Sequence, residues 1–210
     1  MKKTIRSFGR TKGHKLSDNQ ERIIDEFLPK IRPTKESMQC TDIWFEIGFG
    51  AGEHLIQLIG ERKDESQVII GCEPYINGAV KVIKYVAEND IKNVFIFDGD
   101  AREIFDEVKS IGRYYILFPD PWPKKRHHKR RIIQRDFIEK ILEKVTGSLV
   151  IATDHHGYSE WIKEALNGLN FKHIEFQTSE ECEEAGILTR YCKKALEIGE
   201  KINLFEITKK

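Results

Sequence analysis

A chain of 210 residues is long enough to bury a sizeable core in one domain. Charged residues make up 33% of it, yet the formal net charge is only +1, so composition alone indicates neither a nucleic-acid-binding protein nor a disordered tail. The four cysteines stand far apart, and no apolar run approaches the roughly 18 residues of a membrane span. We therefore expect a cytoplasmic protein with reduced thiols and no membrane segment.

Residues 1–40 are predicted to form a basic N-terminal arm and a helix ahead of one globular domain over 41–210. No acidic residue precedes Asp18 in this arm, which is typical of a flexible segment that orders on RNA. The cations of the arm are Lys2, Lys3, Arg6, Arg10, Lys12 and Lys15.

In the domain, short β-branched and aromatic runs alternate with longer segments of helical period, which favours a doubly wound, mostly parallel α/β sheet. The seven predicted strands are 43–47, 68–72, 94–97, 114–118, 148–152, 172–176 and 202–207. The predicted helices are 53–62, 77–88, 131–145 and 161–166. We expect the first five strands to be parallel, and the last two to pair antiparallel across a polar acidic loop.

Three glycines at alternate positions, Gly48, Gly50 and Gly52, follow the first strand and precede a helix. Such a turn, the glycine loop (residues 48–52), lets the backbone approach a ligand closely, and the helix offers its N-terminal amides to a carboxylate or phosphate. The pattern indicates a nucleotide-like cofactor, although a turn with a purely structural role can have the same sequence pattern.

Two acidic positions extend this pattern. Glu73 closes the second strand, where a carboxylate accepts hydrogen bonds from ribose hydroxyls of either NAD or S-adenosylmethionine. Asp100 lies just after the third strand, where an acidic side chain can accept the adenine amine, and this favours S-adenosylmethionine. Asp100 is also a candidate helix N-cap, and the two roles are compatible.

Phe118-Pro119-Asp120-Pro121-Trp122-Pro123 follows the fourth strand, at the sheet edge where open α/β sheets place reacting groups. Its prolines restrict the backbone, so this proline loop (residues 119–123) is expected to present the Asp120 carboxylate rigidly. Trp122 offers a face for stacking on a base, but core packing explains a tryptophan equally well.

Six permanent positive charges lie within the eight residues 124–131, directly after the proline loop. This basic run predicts contacts with nucleic-acid phosphates, while the glutamates of 180–184 offset the formal charge elsewhere. A solvated charged face is the plain alternative. The pairs His127/His128 and His155/His156 predict no metal site, because neighbours in sequence do not readily face one ion. Asp154 ends the fifth strand and is a candidate for a base or ribose contact, or for an N-cap.

Four segments, 6–10 (RSFGR), 46–50 (EIGFG), 118–122 (FPDPW) and 127–131 (HHKRR), occur in the order found in the bacterial tRNA (guanine-N7)-methyltransferases, which the chain resembles along essentially its whole length. The resemblance implies a class I, Rossmann-like fold and transfer of a methyl group from S-adenosylmethionine to N7 of guanine 46 in the tRNA variable loop. It leaves monomer and homodimer open.

The resemblance also implies roles for single residues. Glu46, Glu73, Asp100 and Asp120 correspond to cofactor-binding acids, and Asp120 also to the catalytic aspartate. Lys124 and Asp154 correspond to substrate-binding residues. The family's substrate-binding Thr-x-x-Glu motif reads Thr189, Arg190, Tyr191 and Cys192 here, and these four residues are predicted to contact the substrate. Because the glutamate is missing, an acidic acceptor for guanine has to come from elsewhere, with Asp154 or Asp120 as candidates. The predicted phosphate contacts are Lys125, Arg126, Lys129, Arg130 and Arg131.

Three other functions share single features with this sequence or its fold. Asp-Pro-Pro-aromatic loops methylate exocyclic amines, and Asp120-Pro121-Trp122 is a near relative of them. Cys192 is compatible with an RNA-binding protein that has lost catalysis, but the intact cofactor residues speak against that. An NAD-linked oxidoreductase is disfavoured, since nothing after the third strand offers an acid or base for hydride transfer.

Overall fold

The structure is a computed structural model that describes residues 8–9, 13–62 and 65–209. The predictions for Lys2, Lys3, Arg6, Arg10 and Lys12 lie outside these residues. The chain divides into two compact units, Met1–Ile111 and Gly112–Lys210.

Seven strands form one sheet in the order β3-β2-β1-β4-β5-β7-β6. They are β1 (Ile43–Ile47), β2 (Ile69–Cys72), β3 (Val94–Phe97), β4 (Ile111–Leu117), β5 (Val145–Thr153), β6 (Lys172–Phe176) and β7 (Ile202–Thr208). Six strands are parallel and β7 is antiparallel, which confirms the predicted fold class.

Eight α-helices lie in the described part of the chain. They are α1 (Asp18–Phe27), α2 (Lys35–Met38), α3 (Glu53–Glu61), α4 (Ile76–Glu88), α5 (Arg135–Lys144), α6 (His156–Ala165), α7 (Ser179–Glu184) and α8 (Arg190–Glu197). The predicted acidic loop before the last strand is wrong, because this segment contains α7 and α8. A capping box starts α7: the Thr178 hydroxyl accepts from the Glu181 amide, and the Glu181 carboxylate accepts from the Thr178 amide.

The first unit contains three parallel strands whose registers place Trp44 opposite Ile69 and Ile69 opposite Val94. The residues of β2 are all buried, as expected for a parallel strand covered on both faces. Ladder-like hydrogen bonds continue past the strand ends, where the Gly48 amide donates to the Cys72 carbonyl and the Glu73 amide to the Phe97 carbonyl. The glycine loop and Glu73 therefore start from fixed positions.

In the second unit, β7 pairs antiparallel with both β5 and β6, as predicted for the last two strands. Phe205 of β7 is fully buried, and the His173 ring stacks on it with centroids 4.6 Å apart. The helix predicted over 131–145 starts only at Arg135. The irregular segment before it is held by the Gln134 side chain, which donates to the carbonyls of His128 and Arg131.

Candidate active site

The glycine loop connects β1 to α3, and all three of its predicted glycines have left-handed backbones. At Gly52 the φ angle is +78°, and an added Cβ would lie 1.9 Å from Cγ2 of Val82. At Gly48 and Gly50 an added Cβ would meet nothing within 4 Å. Glycine is thus required at Gly52 by packing, while the space above Gly48 and Gly50 is open to a ligand.

Glu73 holds the glycine loop by a direct hydrogen bond. Its Oε2 accepts from the Gly50 amide at 2.7 Å, and its Oε1 accepts from the Tyr75 amide at 2.8 Å. The side chain is buried. Both carboxylate oxygens are thus engaged with the backbone that follows β1 and β2.

Glu46, the last but one residue of β1, faces a histidine that the sequence analysis did not single out. Its Oε2 lies 3.0 Å from Nδ1 of His54, with side chains 2% and 3% exposed. The contact between these two buried polar side chains joins β1 to α3.

Asp100 caps the short 3-10 helix Ala101–Glu103, and its Oδ1 accepts from the Arg102 amide at 3.1 Å, which agrees with the predicted N-cap role. The Arg102 guanidinium binds both carboxylate oxygens, at 2.8 Å and 2.7 Å. This hydrogen bond raises the pKa of Arg102. Asp98 pairs with Arg32 at 2.8 Å. Of the two aspartates, Asp100 is the buried one.

The proline loop of the second unit follows β4 and is bracketed by two residues with left-handed backbones. Phe118 has φ 50° and Trp122 has φ 43°, a conformation that costs a bulky residue about 1–3 kcal/mol. The Phe118 amide donates to the Ala152 carbonyl at 2.8 Å. The structure therefore holds Asp120 between two strained positions.

Trp122 does not lie in the core. Its half-buried ring is covered by the Arg130 guanidinium, whose carbon is 4.9 Å from the ring centroid. The His127 ring meets Trp122 edge-on at 5.8 Å. These contacts favour rim packing over plain core burial, and they join the basic run to the proline loop.

Asp120 is exposed on the surface of the second unit. Partial desolvation nevertheless raises the pKa of its carboxyl group above the usual value. Among the residues that the structure describes, none donates a hydrogen bond to it, so its oxygens are available to a ligand.

The basic run divides by exposure. Lys125–Arg130 form a 3-10 helix, and the side chains of Lys125, Arg126 and Lys129 are exposed as predicted phosphate contacts require. Lys124, predicted to bind the substrate, is exposed as well. Arg130 is half-buried over Trp122. Arg131 is only 3% exposed, which is incompatible with the predicted phosphate contact, because a buried guanidinium cannot reach RNA.

Asp154 follows β5, but the N-cap of α6 is its neighbour His155, whose Nδ1 accepts from the Tyr158 amide at 3.1 Å. The alternative role of Asp154 as an N-cap is therefore wrong. Burial and the Cys182 thiol raise the pKa of Cys192, and the half-buried Asp154 carboxylate adds to this effect.

The Thr189–Cys192 segment starts α8. The Thr189 hydroxyl accepts from the Cys192 amide at 3.2 Å and caps the helix, while Arg190 and Tyr191 are exposed. Cys192 is fully buried, and its thiol interacts with that of Cys182. Burial is the largest of the effects that raise the pKa of both thiols, so neither ionises readily. Cys192 thus faces the interior and not a substrate.

Comparison with known proteins places these features in one family. The family model described as "Putative methyltransferase" matches residues 41–204. A tRNA (guanine-N(7)-)-methyltransferase of Caulobacter vibrioides (strain NA1000 / CB15N) is 38% identical over 173 residues, which cover 77% of this chain and 76% of that protein. The protein of the same name from Wolbachia pipientis wMel is 36% identical over 199 residues, covering 88% and 86%.

This chain belongs to the tRNA (guanine-N(7)-)-methyltransferase family. The resemblance and the enzyme class predicted from the sequence are confirmed. Two solved structures share the fold of this family member. An antibiotic-related methyltransferase matches with a TM-score of 0.54 at 20% identity, over 95% of this chain and 96% of its own. The 16S rRNA methyltransferase KamB matches with a TM-score of 0.56 at 13% identity, over 93% and 94%.

In this tRNA (guanine-N(7)-)-methyltransferase family member, no helix within 8–9, 13–62 and 65–209 is long and apolar enough to cross a membrane. The same described ranges contain no group of three or more His, Cys, Asp or Glu side chains suited to a metal ion.

Proposed function

We propose that the chain transfers a methyl group from S-adenosylmethionine to N7 of guanine 46 in the variable loop of tRNA. The observation that carries the proposal is the proline loop of a tRNA (guanine-N(7)-)-methyltransferase family member, which presents an exposed Asp120 directly ahead of four exposed cations. A carboxylate beside a phosphate-binding surface suits an enzyme that acts on one base of a folded RNA.

The first unit has the residues to hold the cofactor. Gly48 and Gly50 leave open space above a backbone that can approach a ligand closely. Glu73 is buried after β2 and holds the glycine loop, and the buried Glu46 and Asp100 supply further carboxylates. S-adenosylmethionine supplies an electrophilic methyl group on a positively charged sulfur.

Asp120 acts by charge and position. Guanine N7 carries a lone pair and no proton, so the reaction needs no general base. Positive charge develops on the purine as the N7–carbon bond forms, and a carboxylate held beside the ring stabilises that charge. The contacts that hold Phe118 and Trp122 in left-handed backbones also fix the position of Asp120 before the substrate arrives.

The acceptor tRNA is bound by the second unit in this proposal. Lys125, Arg126 and Lys129 contact phosphates, with Arg130 beside them, and Lys124 binds the substrate. Asp154 and Thr189 contact the guanine. The buried Cys192 does not replace the missing family glutamate, so Asp154 or Asp120 accepts the guanine N1 or N2 hydrogens. One domain over 41–210, a cytoplasmic location and a monomeric or homodimeric state complete the proposal.

The test is transfer of label from radioactive S-adenosylmethionine to an unmodified tRNA transcript and to a transcript with adenine at position 46. We expect label in the first transcript alone, in a nucleoside that alkali cleaves as N7-methylguanosine. Alkali-stable label would favour the exocyclic-amine methyltransferase. Cofactor binding without label would favour an RNA-binding protein that has lost catalysis.

Asp120→Asn tests the proposed catalytic aspartate while keeping its shape. We expect kcat to fall by about 10²- to 10³-fold, as when one preorganised electrostatic group is removed. Asp136→Asn, at the exposed start of α5, is the matched control and should stay within about twofold of the wild-type rate. A normal rate in Asp120→Asn would remove Asp120 from the mechanism.

A further inference from the structure

Arg131 is the buried member of the basic run. Its side chain is 3% exposed, and no carboxylate among the described residues lies within ion-pair distance of it. A buried cation is costly unless its donors are satisfied. Burial lowers the pKa of Arg131 from its usual value, and the partners of the guanidinium explain why it stays inside.

These partners are main-chain carbonyls. Arg131 Nε donates to the Pro121 carbonyl at 2.8 Å, and Nη1 donates to the Gly157 carbonyl at 3.4 Å. Pro121 is the residue after Asp120, and Gly157 lies in the first turn of α6. One guanidinium therefore connects the proline loop to a helix.

Two aromatic rings of α6 enclose the same guanidinium. Its carbon lies 4.8 Å from the Tyr158 centroid and 5.2 Å from the Trp161 centroid. Both rings are themselves fixed, because Trp161 Nε1 donates to the Ile133 carbonyl at 2.6 Å and the Tyr158 hydroxyl accepts from the Ile133 amide at 3.2 Å. The position of Arg131 is thus set by packing on a rigid helix.

The proline loop needs such an external contact. Phe118 and Trp122 hold left-handed backbones that cost about 1–3 kcal/mol each, and strain of this size persists only when surrounding contacts impose it. The Arg131 hydrogen bond is made to the carbonyl directly before Trp122. Without it, the loop can relax and move Asp120.

We propose that Arg131 is a positioning residue for methyl transfer, which holds the Pro121 carbonyl and thereby Asp120, and that it does not bind RNA. The proposal rests on the proposed function, because Asp120 is the group that it positions. A planar guanidinium that stacks between rings and donates along two directions has no equivalent in lysine.

The experiment compares Arg131→Lys, which keeps the charge, with Arg131→Gln, which removes it. Both variants should lower kcat by about 10- to 100-fold, because a small displacement of a catalytic group is enough for that loss. The salt dependence of tRNA binding should stay as in the wild type for both. Lys129→Gln is the reference for a phosphate contact and should reduce the slope of log K against log salt by about one.

Arg22→Lys is the matched control, because Arg22 is an exposed arginine of α1, outside the proline loop and the basic run, that bonds to the neighbouring Asn19 side chain and should tolerate lysine. Wild-type kcat in Arg131→Lys, or a reduced salt slope in Arg131→Gln, would overturn the proposal. If neither Arg131 variant folds, Trp161→Leu loosens the guanidinium and should lower kcat without changing the salt slope; an unchanged kcat there would overturn it as well. A wild-type enzyme without activity would instead refute the proposed function.

Discussion

The glycine loop and the proline loop both follow a strand and both contain left-handed residues, but they reach this conformation in different ways. In the glycine loop, the left-handed positions Gly48, Gly50 and Gly52 are glycines, for which the conformation carries no steric cost. At the proline loop, the left-handed positions are Phe118, directly before it, and Trp122 within it, and surrounding side chains must impose the conformation.

The difference follows from what each loop presents. The glycine loop leaves open space above the backbone of Gly48 and Gly50, which larger side chains would fill. The proline loop offers a side chain, Asp120, and its bulky neighbours give the surrounding groups something to hold. Arg130 covers the Trp122 ring, and Arg131 binds the Pro121 carbonyl. A strained loop fixed by side chains should therefore depend on more distant residues than a glycine loop does.

The substitution with the largest expected effect tests whether the elements on either side of the glycine loop depend on a buried contact. His54→Leu leaves the buried Glu46 carboxylate without its partner and should lower the free energy of unfolding by about 3–5 kcal/mol. The double variant with Glu46→Met should cost much less than the sum of the two single changes, because it removes both polar groups. Urea unfolding of all four proteins measures the coupling, and additive costs would rule out the interaction.

Within the glycine loop, two substitutions separate packing from backbone strain. Gly52→Ala adds a Cβ 1.9 Å from Val82 Cγ2 to a left-handed backbone and should cost about 2–4 kcal/mol. Gly48 also has a positive φ angle, but the space around an added Cβ is open, so Gly48→Ala should cost about 1–2 kcal/mol. Equal losses in urea unfolding would mean that Val82 does not constrain Gly52.

A substitution to glycine, the reverse of those in the glycine loop, probes the proline loop. Trp122→Ala and Trp122→Gly both remove the ring under Arg130, but only glycine relieves the left-handed backbone. We expect Trp122→Gly to be more stable to urea than Trp122→Ala by about 1 kcal/mol, a small difference because glycine also gains entropy in the unfolded chain. A more stable alanine variant would show that residue 122 is not strained.

Most of the fold could be predicted, because β1, β3 and β6 are short apolar or alternating runs between clear turn signals, and their bounds match the prediction. Helix α7 was missed, since its acidic residues resemble a solvated loop. Its one signal was Thr178 with Glu181 three residues later, the spacing of a capping box.

The site was less predictable where one residue in a run behaves differently from the others. Nothing in the letters of the basic run distinguishes Arg131 from Arg130. Arg131 is buried because its guanidinium packs on the Tyr158 and Trp161 rings, which lie later in the sequence on α6. His54 gave no signal either, because its contact with Glu46 exists only once β1 and α3 have packed together.

The smallest expected effect concerns the pH dependence of the exposed carboxylate. The two carboxylates differ in their surroundings. Desolvation raises the pKa of Asp120. Glu73, in the other unit, accepts two backbone hydrogen bonds. Because only ionised Asp120 can stabilise positive charge on the purine, methyl transfer should be full above the raised pKa and fall as pH decreases through it. The acid limb of kcat should thus lie above about 3.9, the ordinary value for aspartate.

The control for this limb is Asp120→Asn, whose residual rate should show no inflection in the same range, because amide side chains do not titrate. Circular dichroism at each pH separates loss of ionisation from unfolding. Since a raised carboxyl pKa also means that the folded state is favoured when Asp120 is protonated, stability should not fall through this group as the pH drops. A limb at or below the ordinary aspartate value would show that the proline loop leaves Asp120 fully solvated.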